Sequence, residues 1–151
     1  MNAKEYLSGA WYIERQVQSK LEQIEALKSL ACRMTASFDQ EVVSHSVDTT
    51  SMQDTIIRIM EAEEELNKKI DELVAMKVEI SHTIDRVRDV QLRLLLEKRY
   101  LLFLSWPQIA EDLMISDRWL QKRHDDALAA VRKVLGSNGE MVKFGKTAKT
   151  S

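Results

Sequence analysis

Residues 117–123 carry the side chains of this sequence that are best suited to contacting base pairs. Arg can donate two hydrogen bonds to guanine, Gln can pair in the same way with adenine, and Lys suits phosphate. With Leu120 facing inward, a helix here would present five candidates for base contact: Asp117, Arg118, Trp119, Gln121 and Lys122. The candidates for phosphate contact are Arg99, Ser105 and Arg123.

Local signals predict the elements that would position these residues. A first helix leads to a break at Phe103–Leu104, and Ser105 then has the pattern of an N-cap with a proline in the first turn, which predicts a short helix over Trp106–Leu113. Met114–Ile115 would make a tight turn, and Ser116 would cap a second helix ending at Leu135–Gly136. The predicted inward face of that helix consists of Leu120, His124, Ala127, Leu128 and Val131.

Two long segments ahead of this unit repeat apolar residues at alternating spacings of three and four, the seam pattern of a coiled coil. They predict helices over residues 3–34 and 52–88, joined by a loop over the Ser- and Thr-rich segment 35–51. The two helices would fold back on each other as an antiparallel hairpin. An ion pair between Lys20 and Glu63 would then help to set the register.

The sequence therefore predicts an all-α protein with three parts. Residues 1–88 would form a long, coiled-coil-like antiparallel helical hairpin arm, residues 89–136 a helix-turn-helix domain, and residues 137–151 a disordered tail. A single apolar seam buries little surface, so we expect the arm to self-associate as a dimer or a higher oligomer.

Charge is spread unevenly along the chain. Residues 1–91 hold 11 basic and 17 acidic side chains, a net charge of −6, whereas residues 92–151 hold 11 and 7, a net charge of +4. A basic C-terminal part suits contact with a polyanion. Cys32 is the single cysteine, and neither a membrane-spanning run nor a secretory segment is evident, so we expect a cytoplasmic protein.

Residue patterns typical of enzymes and metal sites are missing from the sequence. It contains no phosphate-cradling Gly loop, no nucleophile paired with a base and no metal-ligand spacing. We expect neither enzyme activity nor a cofactor.

The segment LRLLLEKRYLLFLSWPQIAEDLMISDRWLQKRHDDALAAVRKVL, residues 92–135, resembles region 4 of sigma-70-type factors. It is most similar to small phage and prophage proteins of Gram-positive bacteria, the ArpU-like transcriptional regulators. Met114 stands where such units usually have Gly, and Asp125 and Asp126 add negative charge to the second helix. The resemblance implies a sigma-like helix-turn-helix and transcriptional control of phage genes. The positions that carry it are Arg99, Tyr100, Leu101, Trp106, Ile109, Ala110, Leu113, Ser116, Arg118, His124, Ala127 and Leu128.

The first functional expectation is a regulator that binds double-stranded DNA and contacts RNA polymerase or further copies of itself through the arm. Two other functions fit the same residues. A phage DNA-packaging component of the small-terminase type also joins a helix-turn-helix to an oligomerising hairpin, and a ring of subunits would favour it. A protein-interaction module would use the two aspartates of the second helix, and failure to bind DNA would favour that function.

Overall fold

A computed structural model of the protein describes residues 2–40 and 45–137, which contain helices and turns but no strand. The all-α prediction is confirmed. The chain divides into an arm unit, Ile13–Leu73, and a head unit, which joins the start of α1 through Tyr12 to the chain from Val74 onward. The elements are α1 (Ala3–Gln40), α2 (His45–Asp85), α3 (Val90–Leu96), a π-helical turn (Glu97–Leu101), α4 (Trp106–Leu113) and α5 (Asp117–Ser137).

The arm unit is an antiparallel hairpin of α1 and α2, as the repeats predict. Its apolar seam comes from positions in the three-and-four repeat of both helices, because that spacing keeps the positions on one face. The buried seam residues are Ile13, Val17, Ile24, Leu66 and Leu73.

Two ion pairs join the helices of the arm unit, and they differ from the predicted one. Lys20 Nζ lies 2.6 Å from Glu65 Oε2, and Lys28 Nζ lies 3.4 Å from Glu63 Oε2. The predicted pairing of Lys20 with Glu63 is therefore wrong, because the antiparallel register places Glu63 beside a lysine further along α1. Both pairs are solvent-accessible, so they help to define register more than they stabilise the fold.

The predicted loop over residues 35–51 is largely helical. α1 continues to Gln40 and α2 begins at His45, so the predicted start of the second helix after Ser51 is also wrong. Thr35 Oγ1 donates to the carbonyl oxygen of Ala31 at 2.9 Å, and Thr55 Oγ1 donates to that of Ser51 at 2.8 Å. Hydroxyl groups bonded to the preceding helical turn no longer compete with the helix backbone, and the helices continue through them.

The core of the head unit is formed by the start of α1, the end of α2 and the helices that follow α2. Leu7 of α1 and Ile80 and Ile84 of α2 are fully buried. The hydroxyl groups of Tyr6 and Thr83 share a buried hydrogen bond of 2.9 Å. The unit therefore extends into both helices that the sequence assigns to the arm, because their ends supply apolar surface that the short C-terminal helices alone cannot.

The predicted break at Phe103–Leu104 follows the π-helical turn. Phe103 has a φ of 58°, the left-handed conformation, which stops the helix. The amide of Leu102 donates to the carbonyl oxygen of Glu97 at 3.0 Å, and the amide of Leu104 donates to that of Lys98 at 2.9 Å, so the carbonyl groups at this helix end are satisfied.

At its other end the head unit finishes with α5. This helix continues through Gly136 to Ser137, slightly past the predicted stop. The rest of the predicted disordered tail lies outside the described residues. None of the described helices has the length and apolar character needed to cross a membrane.

Candidate nucleic-acid interface

Helices α4 and α5 are each N-capped by the serine that the sequence indicates. Ser105 Oγ accepts a hydrogen bond from the Gln108 amide at 3.4 Å, and Ser116 Oγ accepts one from the Trp119 amide at 3.1 Å. In the turn that joins the two helices, Met114 adopts the left-handed conformation, with φ 58° and ψ 44°. The Ile115 amide donates to the carbonyl oxygen of Ala110 at 3.0 Å and closes the end of α4. This is the predicted helix, turn and helix.

The two faces of α5 separate as predicted. Of the five predicted inward residues, Leu128 is half-buried and the other four are buried: Leu120, His124, Ala127 and Val131. All five candidates for base contact are exposed: Asp117, Arg118, Trp119, Gln121 and Lys122. The exposed set occupies the first two turns of α5, the part of a recognition helix that meets base edges in helix-turn-helix proteins.

His124 holds α5 against the preceding helices. Its Nε2 lies 2.7 Å from the Tyr100 hydroxyl in a buried hydrogen bond, and its ring meets Trp106 edge to face at 4.6 Å. Burial lowers the pKa of His124 and raises the pKa of Tyr100 to about 12. Both groups are therefore neutral at physiological pH, which suits a packed inward histidine.

Trp119 stands on the surface at the edge of the outward face. Its side chain is 43% exposed. Lys122 Nζ lies 5.3 Å from the ring centroid and Arg123 Cζ lies 6.0 Å from it, within the range of cation–π attraction. An exposed indole beside cations offers an apolar contact next to hydrogen-bonding groups.

Arg99, a candidate for phosphate contact, has a structural partner on each side. Its guanidinium lies 4.4 Å from the ring centroid of Trp106, and its Nη1 donates to the carbonyl oxygen of Leu104 at 3.0 Å. The side chain thus joins the helix break to the start of α4. Ser105, the neighbouring candidate, is exposed and caps α4.

Arg123, the other predicted phosphate cation, forms a clamp between α5 and the start of α3. Its Nη2 lies 2.7 Å from Asp89 Oδ2, and its Nε donates to Gln91 Oε1 at 2.8 Å. Its Nη1 also lies 3.4 Å from Asp126 Oδ2. The hydrogen bond from Arg123 is the largest of the effects that lower the pKa of Asp89. The clamp pairs Arg123 with carboxylates, and the side chain is only 17% exposed.

A cleft opens beside the outward face, between α4 and the first turns of α5. Its volume is about 210 Å³. Gln121 and Asp117 lie at this cleft together with apolar and aromatic side chains, so the outward face combines hydrogen-bonding groups with an apolar recess. The cleft is lined by Trp106, Pro107, Asp117, Leu120, Gln121 and His124.

A family profile matches residues 33–130, well over half of the chain, and its description is "Protein of unknown function (DUF1492)". The chain belongs to the DUF1492 family. The matched segment contains every site residue predicted from the sequence, from Arg99 to Arg123. No curated protein and no solved structure matches the chain with statistical significance.

A basic surface of this DUF1492 protein lies away from the predicted site. Arg86, Arg88 and Lys133 are exposed around a groove of about 600 Å³ between the junction of α2 with α3 and the later turns of α5. Sequence reasoning missed these residues, although the Arg-x-Arg pattern at 86–88 was a local signal of concentrated charge. Within the described ranges, no cluster of His, Cys, Asp and Glu could hold a metal ion.

Proposed function

We propose that this DUF1492 protein is a sequence-specific transcriptional regulator of phage or prophage type that binds double-stranded DNA. The observation that carries the proposal is the tight turn between two N-capped helices, which presents Arg118, Gln121 and Lys122 together on the exposed side of α5. An α-helix with its side chains is about 10–12 Å across, and the major groove of B-DNA is about 12 Å wide. The first turns of α5 therefore have a diameter that the major groove can admit.

Each exposed side chain has a role in this proposal. Arg118 would donate to the two acceptors of a guanine, and Gln121 would pair with an adenine. Lys122 would contact a base edge or a phosphate. Asp117 would accept from a cytosine amino group, and Trp119 would lie against a thymine methyl group or a sugar.

The similarity of residues 92–135 to region 4 of sigma-70-type factors supports promoter DNA as the target and RNA polymerase as a further partner. The arm unit would then supply self-association or the polymerase contact. Exposed Ile56, Ile57 and Met60 on α2 favour an apolar partner for this unit. This part of the proposal rests on the arm alone and can be tested separately from DNA binding.

A protein-interaction module is the second candidate, and the outward face of α5 itself favours it. Asp117 and Asp125 are exposed on α5, and their charges oppose those of Arg118 and Lys122. A mixed-charge face suits a protein partner better than a phosphate backbone. Under this function the protein would not bind duplex DNA even at low salt.

Selection of bound duplexes from a random pool, at about 150 mM salt to suppress non-specific attraction, tests the proposal. We expect a recurring motif for the parent protein. An Arg118→Ala/Gln121→Ala variant should lose it, because each bidentate base contact supplies roughly 1–3 kcal/mol of discrimination. A Gln53→Ala/Arg58→Ala variant makes the same chemical change on the exposed side of α2 and should keep the motif. A pool that stays random with the parent would contradict sequence-specific binding.

A further inference from the structure

The outward face at the start of α5 is too nearly neutral to hold a phosphate backbone alone. Two of the predicted phosphate residues are already engaged, since Arg123 pairs with Asp89 and Arg99 stacks on Trp106. The cations left on that face are Arg118 and Lys122, beside two exposed aspartates. Because affinity for duplex DNA rests largely on phosphate neutralisation, a DNA-binding form of this protein needs further cations.

The groove at Arg86, Arg88 and Lys133 supplies them. All three side chains are exposed, and none forms a salt bridge with any residue in the described ranges. The one acidic residue that lines the groove is Asp89, and Arg123 already pairs with its carboxylate. The groove therefore has an uncompensated positive rim, which is complementary to a polyanion.

The helical period places Lys133, which lines one side of this groove, close to the line of Lys122 along α5. Lys133 follows Lys122 by eleven residues. At roughly 100° and 1.5 Å per residue, the two lysines lie within about 20° of each other around α5 and about 16 Å apart along it. That separation exceeds the roughly 12 Å width of the major groove, so Lys133 would lie beyond the base edges. A duplex that takes the start of α5 in its major groove can thus bring a backbone strand to Lys133.

We propose that the groove formed by Arg86, Arg88 and Lys133 binds the phosphate backbone of the same duplex whose bases meet the start of α5. This inference rests on the proposed DNA-binding function and adds the backbone contact that the function needs. The C-terminal end of a recognition helix contacts the backbone in homeodomains, so the placement is physically reasonable. The DNA footprint would extend along α5 to the junction of α2 with α3.

The salt dependence of DNA binding tests the proposal. Affinity for the selected duplex is measured by fluorescence anisotropy over a series of salt concentrations, and the slope of log affinity against log salt counts the phosphates neutralised at about 0.9 each. We expect Arg86→Gln/Arg88→Gln to lower this slope by about 2 and Lys133→Gln to lower it by about 1, without a change in the preferred sequence. Arg86→Lys/Arg88→Lys keeps both charges and should keep the slope.

The matched control is Arg58→Gln/Lys68→Gln, which removes two exposed cations from the arm unit and should leave the slope unchanged. Circular dichroism verifies that each variant keeps its helices. Unchanged slopes in both the Arg86→Gln/Arg88→Gln and Lys133→Gln variants would overturn the inference while leaving base recognition intact. Absence of duplex binding by the parent would instead overturn the proposed function and, with it, this inference.

Discussion

Single residues in the left-handed conformation shape the head unit at two points. Phe103 and Met114 both have a φ of 58°, and each ends a helical segment where Gly would be the unstrained choice. They differ in what their side chains do. Lys77 Nζ lies 4.8 Å from the ring centroid of Phe103, whereas the Met114 side chain is 90% exposed. The strain at Met114 is therefore not offset by packing.

Met114→Gly should stabilise the protein. Gly adopts the left-handed conformation without the cost of about 1 kcal/mol that Met carries, and the substitution gives up almost no buried surface. The greater freedom of Gly in the unfolded chain offsets part of the gain. Urea denaturation followed by circular dichroism should show an increase of up to about 1 kcal/mol in the free energy of unfolding. Phe103→Gly is the informative comparison, because it relieves the same strain but loses the ring, and it should destabilise. Equal effects at both positions would contradict this account.

At the scale of the elements, the Asp89 carboxylate links α3 to α5. Asp89 Oδ1 caps α3 by accepting hydrogen bonds from the amides of Gln91 at 2.9 Å and Leu92 at 3.2 Å. The other oxygen, Oδ2, accepts from Arg123 of α5. The pKa of Asp89 is lowered from 3.8, so its contribution to stability is present at neutral pH and is lost as the pH falls below about that value.

Two variants of Asp89 separate the cap from the ion pair. Asp89→Asn keeps an N-cap side chain and removes the charge, whereas Asp89→Ala removes both. Because the pair is partly exposed, with Asp89 at 45%, we expect the cap to dominate. Asp89→Ala should lower the free energy of unfolding by about 1 kcal/mol, and Asp89→Asn by clearly less. The control is Asp71→Ala, which removes an exposed aspartate from the middle of α2, away from any helix cap. Equal losses for the two variants would assign the effect to the ion pair.

At the scale of the whole molecule, α2 leaves large apolar side chains uncovered in the arm unit. Ile56, Ile57 and Met60 are 47%, 52% and 63% exposed. Fully burying an Ile or Met side chain is favourable by about 1.5–3 kcal/mol. The seam between α1 and α2 does not cover these residues. In the proposed self-association, the arm of a second copy would bury them.

Sedimentation velocity over a range of concentrations tests self-association. We expect the parent chain to sediment as a dimer or a larger species at micromolar concentrations. Ile57→Glu/Met60→Glu should weaken assembly by roughly tenfold or more, since it places two charges where apolar surface would be buried. Gln53→Glu/Arg58→Glu places two glutamates at polar exposed positions of the same helix and should have a much smaller effect. A parent chain that stays monomeric at the highest concentration would rule out the arm as a self-association element.

Much of the fold and the outline of the candidate site could be predicted because both depend on near neighbours in the sequence. The three-and-four repeats identified the seam of the arm unit, and Ser105 and Ser116 identified the bounds of α4 and the start of α5. The inward position of Leu120 then determined that Arg118 and Gln121 face outward. Helical periods and caps involve residues only a few positions apart, so the sequence alone determines them.

Tertiary structure decided which charged side chains remain available. Arg123 pairs with Asp89, and Arg99 packs on Trp106, so neither has the freedom that its place in the sequence suggests. Arg86 and Lys133 are distant in the sequence yet line one groove. The start of α1 also enters the head unit rather than the arm unit. Each outcome depends on contacts between residues far apart along the chain, and such contacts form only when the helices pack.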